Sequence, residues 1–322
     1  MVRPSKLVHR ISGLVLAGIA ATAILISTTP AAEVAPPAQA GGALVIVGGG
    51  PIPREILACA MELAGGPDAR IVVLPQASRA DKHSDSLVDA FRAAGARNIR
   101  SWRFENQGQA NEKAASSASV AGVADAINQA NLIWLSGGSQ TALMAALDAS
   151  GFSQLIRERH RRGIAVGGSS AGAAVMADWM MTGGSQSLKS VIAGSAPTSR
   201  GLGLWPGVII DQHFLKRRRN NRLLTAVLDR PDHVGIGIDE STALVTLGDQ
   251  VEVLGESSVI VFDARNAQLK PSDEGLPIGA MGILTHVLVR GMSLAADIPR
   301  PTDASQPPTH VSNSSICALQ RD

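Results

Sequence analysis

The chain has 322 residues, 45% hydrophobic and 17% charged, with a formal net charge of +2. That length supports a sizeable globular core, and so weak a net charge argues against nucleic acid as the main partner. Tyrosine is absent, and the two cysteines, Cys59 and Cys317, lie so far apart that they read as two separate thiols, with one bridge between them as the alternative an oxidising compartment would permit.

The first forty residues differ from the rest. Arg3, Lys6 and Arg10 precede an uncharged stretch over 11–30, and a Pro-rich segment, 31–40, follows. This is the layout of a secretory signal, with Ala38-Gln39-Ala40 as an A-x-A cleavage site. An uncleaved membrane anchor is the competing reading, because the stretch is almost long enough to span a bilayer. Both readings place the folded domain outside the cytoplasm.

From residue 43 short apolar runs recur, bounded by Gly or Pro: 43–47, 71–74, 132–135 and 164–166. Continuous runs of this kind suit parallel strands buried on both faces. Helical spacing fills 55–64, 85–94, 120–130 and 141–147 between them. The alternation predicts a doubly wound α/β domain. Runs at 208–210, 234–238, 243–247, 251–254 and 259–262 are closely spaced, with Gly-Asp and Gly-Glu turns, and read as hairpins completing or edging the sheet. One domain over 41–297 is expected, with a loose tail over 298–322.

Gly168-Ser169-Ser170-Ala171-Gly172 fits the G-x-S-x-G elbow, with an Ala-rich helical pattern after it. Small neighbours let a strained turn push a hydroxyl out above the sheet, and the N–H after the serine can face an oxyanion. Ser170 is the presented serine and Ala171 the first donor. Gly137-Gly138, at a neighbouring strand end, offers a second donor, with a simple turn as the alternative.

In open α/β sheets ligands bind beyond the carboxyl ends of the strands. Ser136-Gly-Gly-Ser-Gln140, Ser170, Asp211-Gln-His213 and Asp239-Glu240 all follow apolar runs. A serine hydroxyl needs a base to take its proton, and the base needs a carboxylate to orient it. Among the histidines only His213 both ends an apolar run and has polar neighbours; His160 sits among arginines on what reads as a solvated helix end. Position alone does not choose between Asp239 and Glu240. The order serine, histidine, acid differs from that of α/β-hydrolases.

Gly48-Gly49-Gly50 resembles the start of a phosphate loop, but Pro51 and Pro53 remove backbone donors and the full dinucleotide pattern fails. No zinc or other metal spacing occurs, so no metal and no cofactor is implied. In Phe214-Leu-Lys-Arg217-Arg218-Arg219-Asn-Asn-Arg222, Asn220 or Asn221 suits the cap of a following helix. That leaves 214–219 extended, with Arg217 and Arg219 on one side. Arg222 in the first helical turn opposes the helix dipole and suggests a carboxylate nearby. Arginine forks this close to His213 suit a carboxylate-rich substrate.

Taken together, Ser-Gly-Gly-Ser-Gln140, Gly-Gly-Ser-Ser170-Ala-Gly-Ala, Asp211-Gln-His213-Phe with Arg217, Arg219 and Arg222, and Gly-Ile-Gly-Ile-Asp-Glu240 resemble the cyanophycinases of peptidase family S51. The resemblance runs from about residue 43 to 262. It implies a three-layer α/β/α sandwich with a mostly parallel sheet, like the class I glutamine amidotransferases, and commonly a homodimer. It also implies a serine exopeptidase that releases β-aspartyl-arginine dipeptides from cyanophycin, a poly-aspartate carrying arginine on each β-carboxyl. On that resemblance Ser170 is the nucleophile, His213 the base and Glu240 its partner; the oxyanion donors Ala171 and Gly138 rest on the positional reading above. Gln140, Asp211, Gln212, Arg217, Arg219 and Arg222 then shape the substrate site. Two departures stand out: Ser139 replaces an expected aspartate, and Arg218 a usual glycine. They leave a dipeptidase acting on short aspartyl or isoaspartyl peptides as the alternative substrate reading, and the complete Ser–His–Glu set disfavours a non-catalytic binder of acidic ligands.

Overall fold

The computed structural model describes residues 41–78, 82–104, 118–182, 189–270, 272–295 and 316–317. The expected signal or anchor over 1–40 and most of the expected tail lie outside the described residues.

Five parallel strands form the centre of the first sheet: β1 (Leu44–Val47), β2 (Arg70–Leu74), β3 (Asn98–Ser101), β4 (Leu132–Leu135) and β5 (Ala165–Ser169). They lie in the order β1-β5-β4-β2-β3. Leu44 and Ile46 face one hydrophobic core while Val45 and Val47 face another, and β4 alternates likewise, with Ile133 and Leu135 against Leu132 and Trp134. Burial on both faces is why these strands read as unbroken apolar runs.

One face is covered by α1 (Arg54–Glu62) and α2 (Lys82–Ala94), through Ile56, Leu57, Ala60, Leu87, Val88 and Phe91. The other is covered by α3 (Val120–Gln129), α4 (Gln140–Ala149) and α5 (Phe152–Arg161). This is the expected sandwich. β3 and α5 had no strong signal: only Ile99 of β3 is buried, and α5 is rich in arginine.

The later strands depart from a single edged sheet. Only β10 (Thr242–Leu247) and β11 (Gln250–Gly255) extend the first sheet beyond β1, antiparallel, with β16 (Ser293–Ala295) at the rim. After the elbow the chain makes a four-residue helix, α6 (Ala171–Ala174), and enters a second sheet through β6 (Ala177–Met181). That sheet adds β7 (Thr198–Arg200), β8 (Trp205–Gln212), β9 (Val234–Ile238), β12 (Ser258–Asp263) and β15 (Leu284–Val289), in the order β15-β12-β9-β8-β6-β7. Its β6-β8-β9 centre is parallel. Ile210 and Ile236 join the core shared with the first sheet, and α7 (Asn220–Asp229) backs the opposite face through Leu223 and Val227. Gly235 and Gly237 in β9 are what let α7 and Phe214 approach: a Cβ at either would strike Val227 or the Phe214 ring. β13 (Gln268–Lys270) and β14 (Gly279–Met281) form a small ribbon apart.

The cysteines correct the reading of separate thiols. Cys59 on α1 is bonded to Cys317, 258 residues away. Neighbouring Ile316 is buried, and its N–H donates to Oε2 of Glu252 on β11 at 2.6 Å. These two residues of the expected loose tail are therefore held against the core. His160 is likewise not on a solvated helix end: it is buried, its pKa lowered chiefly by burial, with Nδ1 3.4 Å from the Ile164 carbonyl.

Candidate active site

The carboxyl ends of β1, β4, β5 and β8 converge on one cleft of about 950 Å³. Ser170 sits at its floor with φ 54° and ψ −111°, directly between β5 and α6. The flanking glycines are required by packing, since a Cβ at Gly168 would lie 2.7 Å from the Gly172 backbone and one at Gly172 would strike the Leu135 carbonyl. The strained turn is therefore enforced from both sides, which is how a site stores an unfavourable backbone conformation.

His213 follows β8, also at positive φ (50°), and its Nε2 lies 2.8 Å from Ser170 Oγ. Its Nδ1 lies 2.7 Å from Oε1 of Glu240, just past the end of β9. Glu240 is thus the acid that meets the imidazole. Asp239 is committed elsewhere, accepting from the Lys216 N–H and the Ser257 hydroxyl, both at 2.9 Å. Burial lowers the His213 pKa below its usual value; the hydrogen bond that Glu240 accepts opposes that shift, and the charges of Arg217 and Arg219 add to it. A neutral imidazole beside a serine hydroxyl, held from behind by a carboxylate, can remove a proton and return it.

Gly137 and Gly138 line the cleft with Ser170. A Cβ at Gly137 would come within 3.4 Å of the Ser170 Cβ, while Gly138, at φ 142°, is pressed against the Ala77 carbonyl. Ala171 follows the nucleophile directly, and of the two glycines Gly137 is the one that packs against Ser170. Ser139 caps α4, accepting from the Ala142 N–H at 3.3 Å, as an aspartate would. Gln140 lines the cleft and donates its amide to the Met181 carbonyl at 2.7 Å, tying α4 to β6.

The arginine run is not extended. The Arg217 N–H donates to the His213 carbonyl at 3.0 Å and the Arg219 N–H to that of Phe214 at 2.9 Å, closing a helical turn that ends with Arg218 at φ 52°. A glycine would be unstrained there. No asparagine caps the helix: α7 begins at Asn220, preceded by Arg219 without a side-chain cap. Exposed Arg217 lines the cleft and Arg219 reaches it from below. Asp211 and Arg222 do not face it. Asp211 is fully buried; Arg222 forks onto its two oxygens, with Nε 2.6 Å from Oδ2, and Arg219 Nη1 is 3.2 Å from Oδ1. Arg219 Nη1 also donates to Gln212, at both its carbonyl and its side-chain oxygen. The carboxylate expected near Arg222 is therefore Asp211. Burial draws the Arg219 guanidinium down to about 10 while Asp211 opposes the shift.

Sequence reasoning missed the role of Gly49 and Gly50. A Cβ on Gly49 would lie 2.6 Å from His213 Nε2, and one on Gly50 2.9 Å from the Glu240 Cβ. The triple glycine is visible in the sequence, but it resembles the start of a phosphate loop and carries no mark of the imidazole. Among the described residues no group of three His, Cys, Asp or Glu could hold a metal.

A strained serine at a sheet end, relayed through histidine to glutamate, defines the class of serine hydrolases built on an α/β scaffold. The chain belongs to peptidase family S51, whose model matches residues 44–254. It is accordingly a serine-type peptidase, a hydrolase. Similar proteins include the cyanophycinase of Geminocystis herdmanii, 35% identical over 215 residues that make up 66% of this chain and 76% of that one. The cyanophycinase of Thermosynechococcus vestitus is 32% identical over 244 residues, 74% and 73% of the two chains. The crystal structure of a peptidase from an acI-B1 actinobacterium shares the fold, with a TM-score of 0.55 and 22% identity over 79% of this chain and 97% of that one. The architecture is the class I glutamine amidotransferase-like fold of that family.

Proposed function

We propose that this peptidase hydrolyses cyanophycin to β-aspartyl-arginine dipeptides. Ser170 Oγ attacks the carbonyl carbon of the scissile amide as His213 Nε2 takes its proton, and Glu240 holds the imidazolium. The N–H groups of Ala171 and Gly138 face the oxyanion that forms. His213 then passes the proton to the departing amine, and water, activated by the same imidazole, releases the acyl group from Ser170. The observation that carries the reading is the continuous relay of 2.8 Å and 2.7 Å from Ser170 through His213 to Glu240 at the floor of a cleft bordered by Arg217 and Arg219. The cationic border suits the free α-carboxylates of the polymer's arginines, its aspartyl β-carboxyls being amidated, and relatives carrying the cyanophycinase name support the polymer as substrate.

A second substrate class, short aspartyl or isoaspartyl peptides, is favoured by Ser139. It lines the cleft without a carboxylate to offer a substrate guanidinium, its hydroxyl accepting from the Ala142 N–H at the start of α4. Incubation of insoluble cyanophycin with the purified chain and with Ser170→Ala, with products identified by mass, tests both. Dipeptide release by the wild type alone supports the proposal; hydrolysis of short peptides without attack on the polymer moves the assignment to the dipeptidase. The layout of residues 1–40 further supports export of the domain, which fits use of the polymer as external food. Active protein found in the cytosol with those residues attached would overturn that part. A homodimer is the assembly suggested by the family resemblance, checked by light scattering.

A further inference from the structure

Three successive carbonyls of one loop receive the backbone of the catalytic residues. The Val47 carbonyl accepts the Ser170 N–H at 2.9 Å, that of Gly48 the His213 N–H at 2.7 Å, and that of Gly49 the N–H of Ser241, next to Glu240, at 2.8 Å. The loop is held in turn: the Gly48 N–H donates to the Thr242 carbonyl at 2.9 Å, and the Ser241 hydroxyl to that of Pro51 at 2.9 Å. All three anchored residues, Ser170, His213 and Ser241, have φ between 50° and 54°, a region costly for side chains larger than glycine unless the surroundings impose it. The imidazole lies flat against Gly49 and the Glu240 side chain against Gly50, where any side chain would collide.

We propose that the segment 47–51 is the positioning element of this site, a template that sets Ser170, His213 and Glu240 in mutual register, with Gly49 as the positioning residue for the imidazole. The inference rests on the reading of those three residues as the catalytic set. It explains why a glycine run follows β1 without phosphate chemistry: the glycines admit other parts of the chain, and their carbonyls, not their N–H groups, do the holding.

The test compares Gly49→Ala with Gly66→Ala. Gly66 lies at φ 94° with nothing within 4 Å of a Cβ, so its variant carries comparable backbone strain with no collision. Gly49 lies at φ 113°. Labelling of Ser170 by a fluorophosphonate probe reports activation of the nucleophile directly. Gly49→Ala should lower kcat and the labelling rate at least about 100-fold, as expected for displacement of a catalytic group by about 1 Å, with KM within about threefold. Gly66→Ala should keep both near wild type. If Gly49→Ala does not fold, Gly50→Ala decides. Its Cβ presses on Glu240 alone, so it should slow labelling and move the acid limb of kcat to lower pH as the support of Glu240 on His213 is loosened. Wild-type labelling rates in the folded glycine variants would overturn the inference. Failure of the wild type itself to label would instead overturn the catalytic assignment.

Discussion

Replacing Asp211 by asparagine removes the carboxylate shared by two interior guanidiniums. Asp211 has no exposed side-chain surface, and the side chains of Arg219 and Arg222 are 4% exposed. Removing one partner of a buried ion pair costs about 3–5 kcal/mol, because the charge left behind is uncompensated. With a urea m-value of about 3 kcal/mol per molar, the unfolding midpoint should fall by roughly 1–1.7 M, followed by far-UV circular dichroism. Arg222→Met should cost a similar amount, and the double variant less than the sum by about 0.5–3 kcal/mol, as for any contacting pair. Arg217→Gln, at an exposed position, should move stability by less than about 0.5 kcal/mol and act on substrate affinity instead. An Asp211→Asn protein that unfolds at the wild-type urea concentration yet loses affinity for acidic peptides would refute the division, showing that the acid works at the substrate.

Arg217→Gln also removes a charge that lowers the His213 pKa, so the acid limb of kcat/KM should move to higher pH; a pH-rate profile that stays in place would separate Arg217 from the imidazole. Glu240→Gln should cut kcat by about 10³–10⁴ through loss of the preferred imidazole orientation, with stability little changed, and move the remaining acid limb to lower pH. Equal activity of Asp239→Asn and wild type beside an inactive Glu240→Gln would confirm which acid serves. Cys59→Ser should destabilise the domain by about 2–5 kcal/mol, since the bond closes a loop spanning 258 residues. Two titratable thiols in the native, unreduced protein would contradict this.

The strands of the central sheet were legible because burial on both faces leaves nothing but apolar residues, as in Leu132–Leu135, and the elbow because close backbone packing demands its glycines, Gly168 against Gly172 in the same turn and Gly172 against the Leu135 carbonyl of β4. β3, with one buried residue, carried no such mark. The second sheet was illegible as a separate layer because an apolar run states that a strand is covered, not which strand lies beside it: β9 and β10 read alike yet join different sheets. The same gap separates Glu240 from Asp239. Their side chains diverge across a turn whose path is set at Ser241, by a hydrogen bond to Gly49 nearly two hundred residues earlier.

The arginine run and the glycine run show the limit from two sides. An arginine advertises its charge but not its partner, so Arg217, Arg219 and Arg222 look equivalent in sequence. Only the fold turns Arg222 inward to Asp211 and leaves Arg217 on the cleft. A glycine advertises that something comes close but not what: Pro51 and Pro53 argue against a phosphate at Gly48-Gly49-Gly50, yet nothing in the run names an imidazole until β1 is seen to lie between β5 and β10. That placement decides the matter. It brings the end of β5 to one side of the loop and Ser241, just ahead of β10, to the other, while His213 reaches over from the second sheet, so chemistry that the sequence scatters over seventy residues is assembled on a turn more than a hundred residues upstream.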